Sequence, residues 1–560
     1  MDSFWTGTVA DVRGSWVRPA SVRGLFAVPL MVAIVLGVTS VGAAPVLAQG
    51  VPSAAAGPPG TGLAWGDNAE SQLGDGTTTN SSTPVTVDVP ADTTITAVAA
   101  GQGHSLAVTS AGTVLAWGAN SSGQLGDGTT TPRSTPVAVD LPAGTTVTAV
   151  AAGDRHSLAV TSTGTVLAWG LNVTGQLYDG TTTSSSTPIV VDLPVGTTVT
   201  AVAAGNAHSL ALTSTGTMLA WGANSSGQLG DGTTTPRSTP VAVDLPVGTT
   251  ITTIAASSSS HSLAVTSTGT MLAWGANFTG QLGDGTITNR STPVAVDLPA
   301  GTTVTAVATG SGHSLAVTSA GTMLAWGGNG SGQLGDGSTT SSSTPVAVDL
   351  PAGTTVTAVA GGAGHSLALT STGTMLAWGF NTSGQLGDGT TSNRSIPIAT
   401  DLPADTTITA IAGGSFHSLA IVPSTSTTTL QVSPPNPTPD QPVTLTATVT
   451  CTGSTPTGTM TYLEDTTILG TEPLSGNPTA TATLTVTRLT PGTHHIQARY
   501  NGDNNCPTST SDSTTVTVPK PTIPVTGTSL PTILAAGSLL TLTGTALTLA
   551  THRRRPTHRA

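Results

Sequence analysis

Apolar and polar positions alternate with a two-residue period through most of this chain, and the alternation restarts on a fixed beat. Residues 145–152 (Thr-Thr-Val-Thr-Ala-Val-Ala-Ala) set Thr against Val or Ala, as in a half-buried strand. Gly153 interrupts the run. Residues 156–161 and 165–169 follow as two further strands, joined through Thr163-Gly164, which is hairpin-turn chemistry. Ahead of them, residues 134–140 make a short β-rich segment ended by Leu141-Pro142. Four short antiparallel strands of this kind make one propeller blade, and residues 134–170 are read as such a unit.

The beat is set by Trp65, Trp117, Trp169, Trp221, Trp274, Trp326 and Trp378, each followed by Gly, at steps of 52, 52, 52, 53, 52 and 52 residues. His104, His156, His208, His261, His313, His365 and His417, each followed by Ser, keep the same period. Such self-similarity marks supersecondary units that bury their faces only against neighbours. The copies predict an all-β, seven-bladed ring over residues 62–424, because radial closure protects edges that an open array exposes. The first copy begins with only the last strand of a unit, and the final copy stops after residues 417–422. Residues 63–65 are therefore expected to complete the blade begun at 398–422.

These residues also point to a family. Gly-any-Val/Met-Leu-Ala-Trp-Gly-any-Asn, then Gly-Gln-Leu-Gly-Asp-Gly, then Pro-Val and His-Ser-Leu-Ala, resembles the RCC1 repeat. The departures are Tyr178 in place of Gly, Asp67 and Glu70-Ser71 in the first copy, and one added residue in Ser257 to Ser260. From about residue 428 to 518 the pattern changes. Residues 441–450, 456–462, 480–486 and 495–503 are similar to a bacterial immunoglobulin-like domain of the group 3 type. In such a sandwich the strands carrying Cys451 and leading to Cys506 end at one pole, so the resemblance implies a disulfide between them.

Charge and termini supply an address. Charged residues are 8 % and aromatics 3 % of the chain, the formal charge is −12, and Lys520 is the only lysine. That balance lacks the cationic footprint of a nucleic-acid binder. Arg13, Arg18 and Arg23 precede an apolar run at 25–44 and then Val46-Leu47-Ala48, the layout of a secretory signal over residues 1–48. Residues 49–61 are a linker. At the other end Ile523-Pro524-Val525-Thr526-Gly527 precedes an apolar stretch at 530–550 and an Arg-rich tail. Residues 519–560 thus resemble a sortase cell-wall sorting signal, with Ile523 where the family has Leu. The resemblance implies cleavage between Thr526 and Gly527 and attachment to peptidoglycan of a Gram-positive bacterium. A retained membrane anchor is the alternative.

No site on this sequence reads as catalytic, and no metal or cofactor is expected. Catalysis needs a one-off constellation of acid, base and nucleophile, whereas these His and Asp recur once per blade and are held apart by the ring's symmetry. A structural role in strand ends and turns is the expectation for them, and packing between blades for Trp. Residues that break the repeat are the candidate partner contacts: Phe278, Phe380, Phe416, Tyr178 and Arg155, all in loops. The sequence therefore predicts a secreted, surface-anchored binding protein whose partners are extracellular proteins or glycans. It touches membrane only through its signal and sorting segments. Two alternatives are an inhibitor of a secreted enzyme, in the manner of β-lactamase inhibitory protein II, and, by the family resemblance only, guanine-nucleotide exchange on a small GTPase.

Overall fold

A computed structural model describes residues 54–55 and 59–522. The expected signal at 1–48, the sorting motif at 523–527 and the apolar and basic segments beyond it lie outside the described residues.

Seven sheets of four antiparallel strands form the ring. One sheet runs outward from an inner strand, Val147–Ala152, through the histidine strand His156–Thr161 and the tryptophan strand Val166–Gly170, to an outer strand, Ser185–Val190. Inner strands of neighbouring sheets touch around the centre, so the core is a set of seams between sheets. Every tryptophan of the repeat is fully buried, and each fills the seam toward the preceding sheet. Trp169, for example, packs with Leu106, Val108, Leu125 and Val150.

The phase of the unit differs from the sequence expectation. Arg133–Ala138 does not pair with the strand that follows it. It lies against Val114–Gly118, with Gly118 opposite Arg133 and Ala116 opposite Val137, and so forms the outer edge of the preceding sheet. Proline is the physical reason. Pro136 lacks the N–H that a central strand must donate, and its counterparts Pro84, Pro188, Pro240, Pro293, Pro345 and Pro397 all stand in outer strands.

Closure shifts accordingly. Ala410–Gly413 and His417–Pro423 supply two strands of the seventh sheet, and Gly60–Gly66 and Ser81–Thr86 supply the other two. Residue 398 belongs to Arg394–Ala399, the edge of the sheet before. Gly60–Gly66 pairs residue by residue with His417–Pro423, from Gly60 opposite Pro423 to Gly66 opposite His417. Ala54–Ala55 adds a short antiparallel pairing to the inner strand Val147–Ala152.

The second unit is a two-sheet sandwich. Ser426–Ser433, Val443–Cys451 and Ala480–Val486 face a sheet built on Thr459–Glu464, Thr467–Pro473, Gly492–Tyr500 and Thr514–Val518. Val443, Leu445, Ala447 and Val449 point inward at alternate positions against Met460, Tyr462, Ile496 and Ala498. The buried Tyr462 hydroxyl donates to the Ala482 carbonyl at 2.6 Å. Cys451 and Cys506 are joined in a disulfide with a Cα separation of 6.0 Å.

The sandwich meets one side of the ring. Thr94 donates to Asn505 Oδ1 at 2.8 Å, Asn505 Nδ2 donates to the Asp92 carbonyl at 3.3 Å, and the Thr455 N–H donates to Asp92 Oδ1 at 3.0 Å. These contacts lie where the Leu-Pro connections and hairpin turns emerge, here called the proline side. The opposite, histidine side carries the turn before each His and the long loop after each Trp-Gly.

Candidate binding face

What the repeated residues do is settled by their bonding. His104 Nε2 lies 3.0 Å from Ser157 Oγ of the next sheet, and that Ser donates to the Gln124 carbonyl at 2.8 Å. Trp169 Nε1 donates to the same carbonyl at 2.8 Å. Because the Ser proton is spent on Gln124, the imidazole must carry its proton on Nε2 and donate it. The unit repeats around the circle and ends where it began, with His417 against Ser105 at 2.9 Å.

Each histidine Nδ1 is left buried without a partner. Burial holds all seven imidazoles neutral, at about 3 to about 4, and neighbouring histidines deepen the shift for five of them. A Cβ on Gly153 would stand 2.4 Å from His156 Cε1 and 2.4 Å from the Gly205 carbonyl. Glycine there permits the imidazole to lie flat against the turn.

The Asn and Asp of each repeat organise the long loop. Asn120 accepts from the Leu125 N–H at 3.0 Å and donates to Asp127 at 3.2 Å, while Asp127 accepts from the Thr129 N–H and hydroxyl. Arg133, Arg237, Arg290 and Arg394 close on Asp127, Asp231, Asp284 and Asp388 at 2.6, 2.8, 2.7 and 2.7 Å. These carboxylates are held below the ordinary range: the donors and the guanidinium outweigh the burial that pushes the other way.

The residues that break the repeat are brought together only in part. Phe380 and Phe416 stack at a tilt, with ring centroids 5.9 Å apart. Phe416 and Arg155 line one hollow of about 210 Å³ on the histidine side, together with Asp67, Glu70, Gln102 and Asp154. Phe278 stands apart and is 71 % exposed. Tyr178 takes a positive φ of 55° where the other copies have Gly, and its ring packs on Trp221 at 6.3 Å. It is a seam residue, partly buried against the second and third sheets.

Asp67, Glu70 and Asp154 were visible in the sequence only as departures from the repeat; nothing in one dimension showed that they converge with Phe416. Burial raises Asp154 to about 6, against the donors Asn206 and Ser258 and the charge of Arg155. Asn206 Nδ2 donates to its Oδ2 at 2.5 Å.

Comparison with known proteins agrees with this architecture. The RCC1-like domain profile matches residues 61–420, and the group 3 bacterial Ig-like domain matches residues 428–519. The ultraviolet-B receptor UVR8 of Arabidopsis thaliana is 32 % identical over 325 residues, covering 58 % of this chain and 74 % of the receptor. Human E3 ubiquitin-protein ligase HERC2 is 32 % identical over 368 residues, 65 % of this chain but only 8 % of that protein. Among solved structures, human WBSCR16 superimposes with a TM-score of 0.59 at 24 % identity, covering 65 % of this chain and 99 % of that one. Prp20p of Saccharomyces cerevisiae gives 0.59 at 24 %, covering 66 % and 93 %. With the histidine staples, the seven buried tryptophans and the shared profile all falling on one ring, the chain belongs to the RCC1-like domain family and carries a bacterial Ig-like domain behind it.

Proposed function

We propose that this chain is a secreted, cell-surface-anchored binding protein that presents one face of its ring to an extracellular protein, with the Ig-like domain as the spacer behind it. The observation that carries this is the division of the two faces. The sandwich meets the proline side through Asp92, Thr94, Thr455 and Asn505, whereas the loops that escape the repeat lie on the histidine side. The recurring His, Asp and Trp are committed to staples and loop scaffolds, so recognition falls to the residues that differ between blades. A protein partner accords with the relative Prp20p, whose structure was described with its binding to Gsp1p and histones.

The address rests on residues 1–48 and on Ile523 to Gly527. Cell fractionation tests it. Wild-type chain is expected to stay in the detergent-resistant wall fraction, and Thr526→Ala to move to the membrane or medium. Equal distribution of the two would overturn wall attachment. Binding is tested by probing arrays of extracellular proteins and glycans with the folded and the heat-unfolded full chain. No signal above the unfolded control in either class removes the binding role.

A further inference from the structure

The histidine side is chemically lopsided. In blades three to six the positions before His are small and neutral: Asn206-Ala207, Ser259-Ser260, Ser311-Gly312 and Ala363-Gly364. Around the closing sheet and its two successors they are Ser415-Phe416, Gln102-Gly103 and Asp154-Arg155, with Asp67 and Glu70 from the adjoining loop. Phe416 is 40 % exposed and stands between two surroundings. On one flank it stacks on Phe380, and on the other it borders the hollow that Asp67, Glu70 and Asp154 line.

Those three carboxylates meet a single guanidinium, Arg155, and among the described residues none of the three is in an ion pair. Elsewhere on the ring each repeat arginine closes on its aspartate. Two of the hollow's carboxylates are oriented by neutral donors instead. Gln72 Nε2 donates to Asp67 Oδ2 at 2.7 Å, and Asn206 Nδ2 holds Asp154. Orientation without neutralisation leaves a preset negative field beside an aromatic pair in which Phe416 is exposed and Phe380 half-buried.

We propose that this strip docks a cationic side chain of the partner, a Lys or Arg next to an apolar residue on an extracellular protein, and in this it rests on the binding-face reading above. The charged head seats among Asp67, Glu70 and Asp154. Its aliphatic stem lies along Phe416, and the apolar neighbour covers Phe380. Arg155 at the rim repels a second cation and so fixes the direction in which the segment lies.

A phage-displayed library of random dodecapeptides, panned on the immobilised full chain, tests this. Selected peptides are expected to be enriched in Lys or Arg beside Phe, Leu or Trp. Their affinity is expected to fall at least about tenfold in Asp67→Asn/Glu70→Gln/Asp154→Asn and in Phe416→Ser, to weaken in high salt, and to be unchanged by Val247→Ser on the proline side. Unaltered thermal unfolding of each variant shows that the loss is local. Neutral or acidic peptides, or basic ones indifferent to the triple substitution, overturn this site while leaving a binding face in place. Capture of glycans alone overturns the protein partner, and capture of nothing from either class overturns the face as well.

Discussion

At the residue scale the seven histidines tie the fold to pH. Their folded values of about 3 to about 4 lie below the ordinary 6.5, so between the two the unfolded chain binds protons that the ring refuses. Their contribution is fully present above pH 6.5 and drains away as pH falls through the folded values of about 4 and about 3, by up to about 1.4 kcal/mol per pH unit for each histidine. His494 in the sandwich has the opposite sign. Its Nδ1 faces Glu464 at 2.6 Å and its Nε2 faces the Thr490 carbonyl at 2.7 Å, so both nitrogens donate and the cation is favoured. Its folded value is raised despite burial, by those two partners; its contribution is present below 6.5 and is lost as pH rises through the folded value. Urea unfolding of the chain from residue 49, followed by tryptophan fluorescence, should show midpoints falling steeply from pH 7 to pH 5, since all of its tryptophans stand in the ring. A ring midpoint flat across that interval would show that the imidazoles are not buried neutral. The one histidine turn without glycine is consistent with the same packing. Ser257 replaces Gly where an extra residue lengthens the turn, and Ser257 N–H reaches the His261 carbonyl at 3.0 Å, four residues on, instead of three.

Among elements, the long loop after each tryptophan is built twice over, by its Asn and by its Asp. The arginine clasp is an addition to that scaffold. Ser81, Ser185 and Ser342 stand where the other four blades have arginine, and the loops keep their Asn-to-Asp bonds at 3.2, 3.1 and 3.3 Å. Arg290→Ser should therefore cost no more than about 1 kcal/mol, since the guanidinium is partly exposed and screened. Asn277→Ala, which strands the buried Leu282 N–H and removes one of the donors to Asp284, should cost about 1–3 kcal/mol. Chemical denaturation of the two variants checks the order, and an arginine loss that equals the asparagine loss would reverse this account. The same elements show what the sequence disclosed. Period, blade number and the sandwich's alternating strands were legible because each is local. Blade phase was not read correctly, although the proline in Arg133–Ala138 and its copies marked an edge strand all along. Convergence of Asp67, Asp154 and Phe416 depends on circular closure, which brings residues near the two ends of the ring sequence side by side. No window along the chain contains it.

For the whole molecule, closure with two strands from each end makes the amino-terminal 30 residues of the ring more than a latch. Gly60–Gly66 hydrogen-bonds to His417–Pro423 along its full length, and Ser81–Thr86 covers its other edge. Between them lies Gln72, whose carbonyl accepts from both Trp117 Nε1 and Ser105 Oγ at 2.8 Å. Trp65 in turn donates to the Gln385 carbonyl at 3.0 Å, so this stretch staples the seams on both of its sides. The same end of the ring also bears the sandwich contacts at Asp92 and Thr94 and the proposed docking strip. A chain beginning at residue 90 would lose the burial of Trp65, about 3–5 kcal/mol on its own. It would also leave His417–Pro423 as a bare edge, open to pairing with another copy. Such a chain is expected to unfold at a markedly lower temperature and to associate. A separate peptide of residues 59–89 should restore the melting temperature and association state of the intact chain, while one of residues 59–70, which lacks Gln72 and the outer strand, should not. Full rescue by the shorter peptide would mean that a single strand closes the ring, and a truncated chain that melts like the intact one would mean that the ring does not depend on this closure.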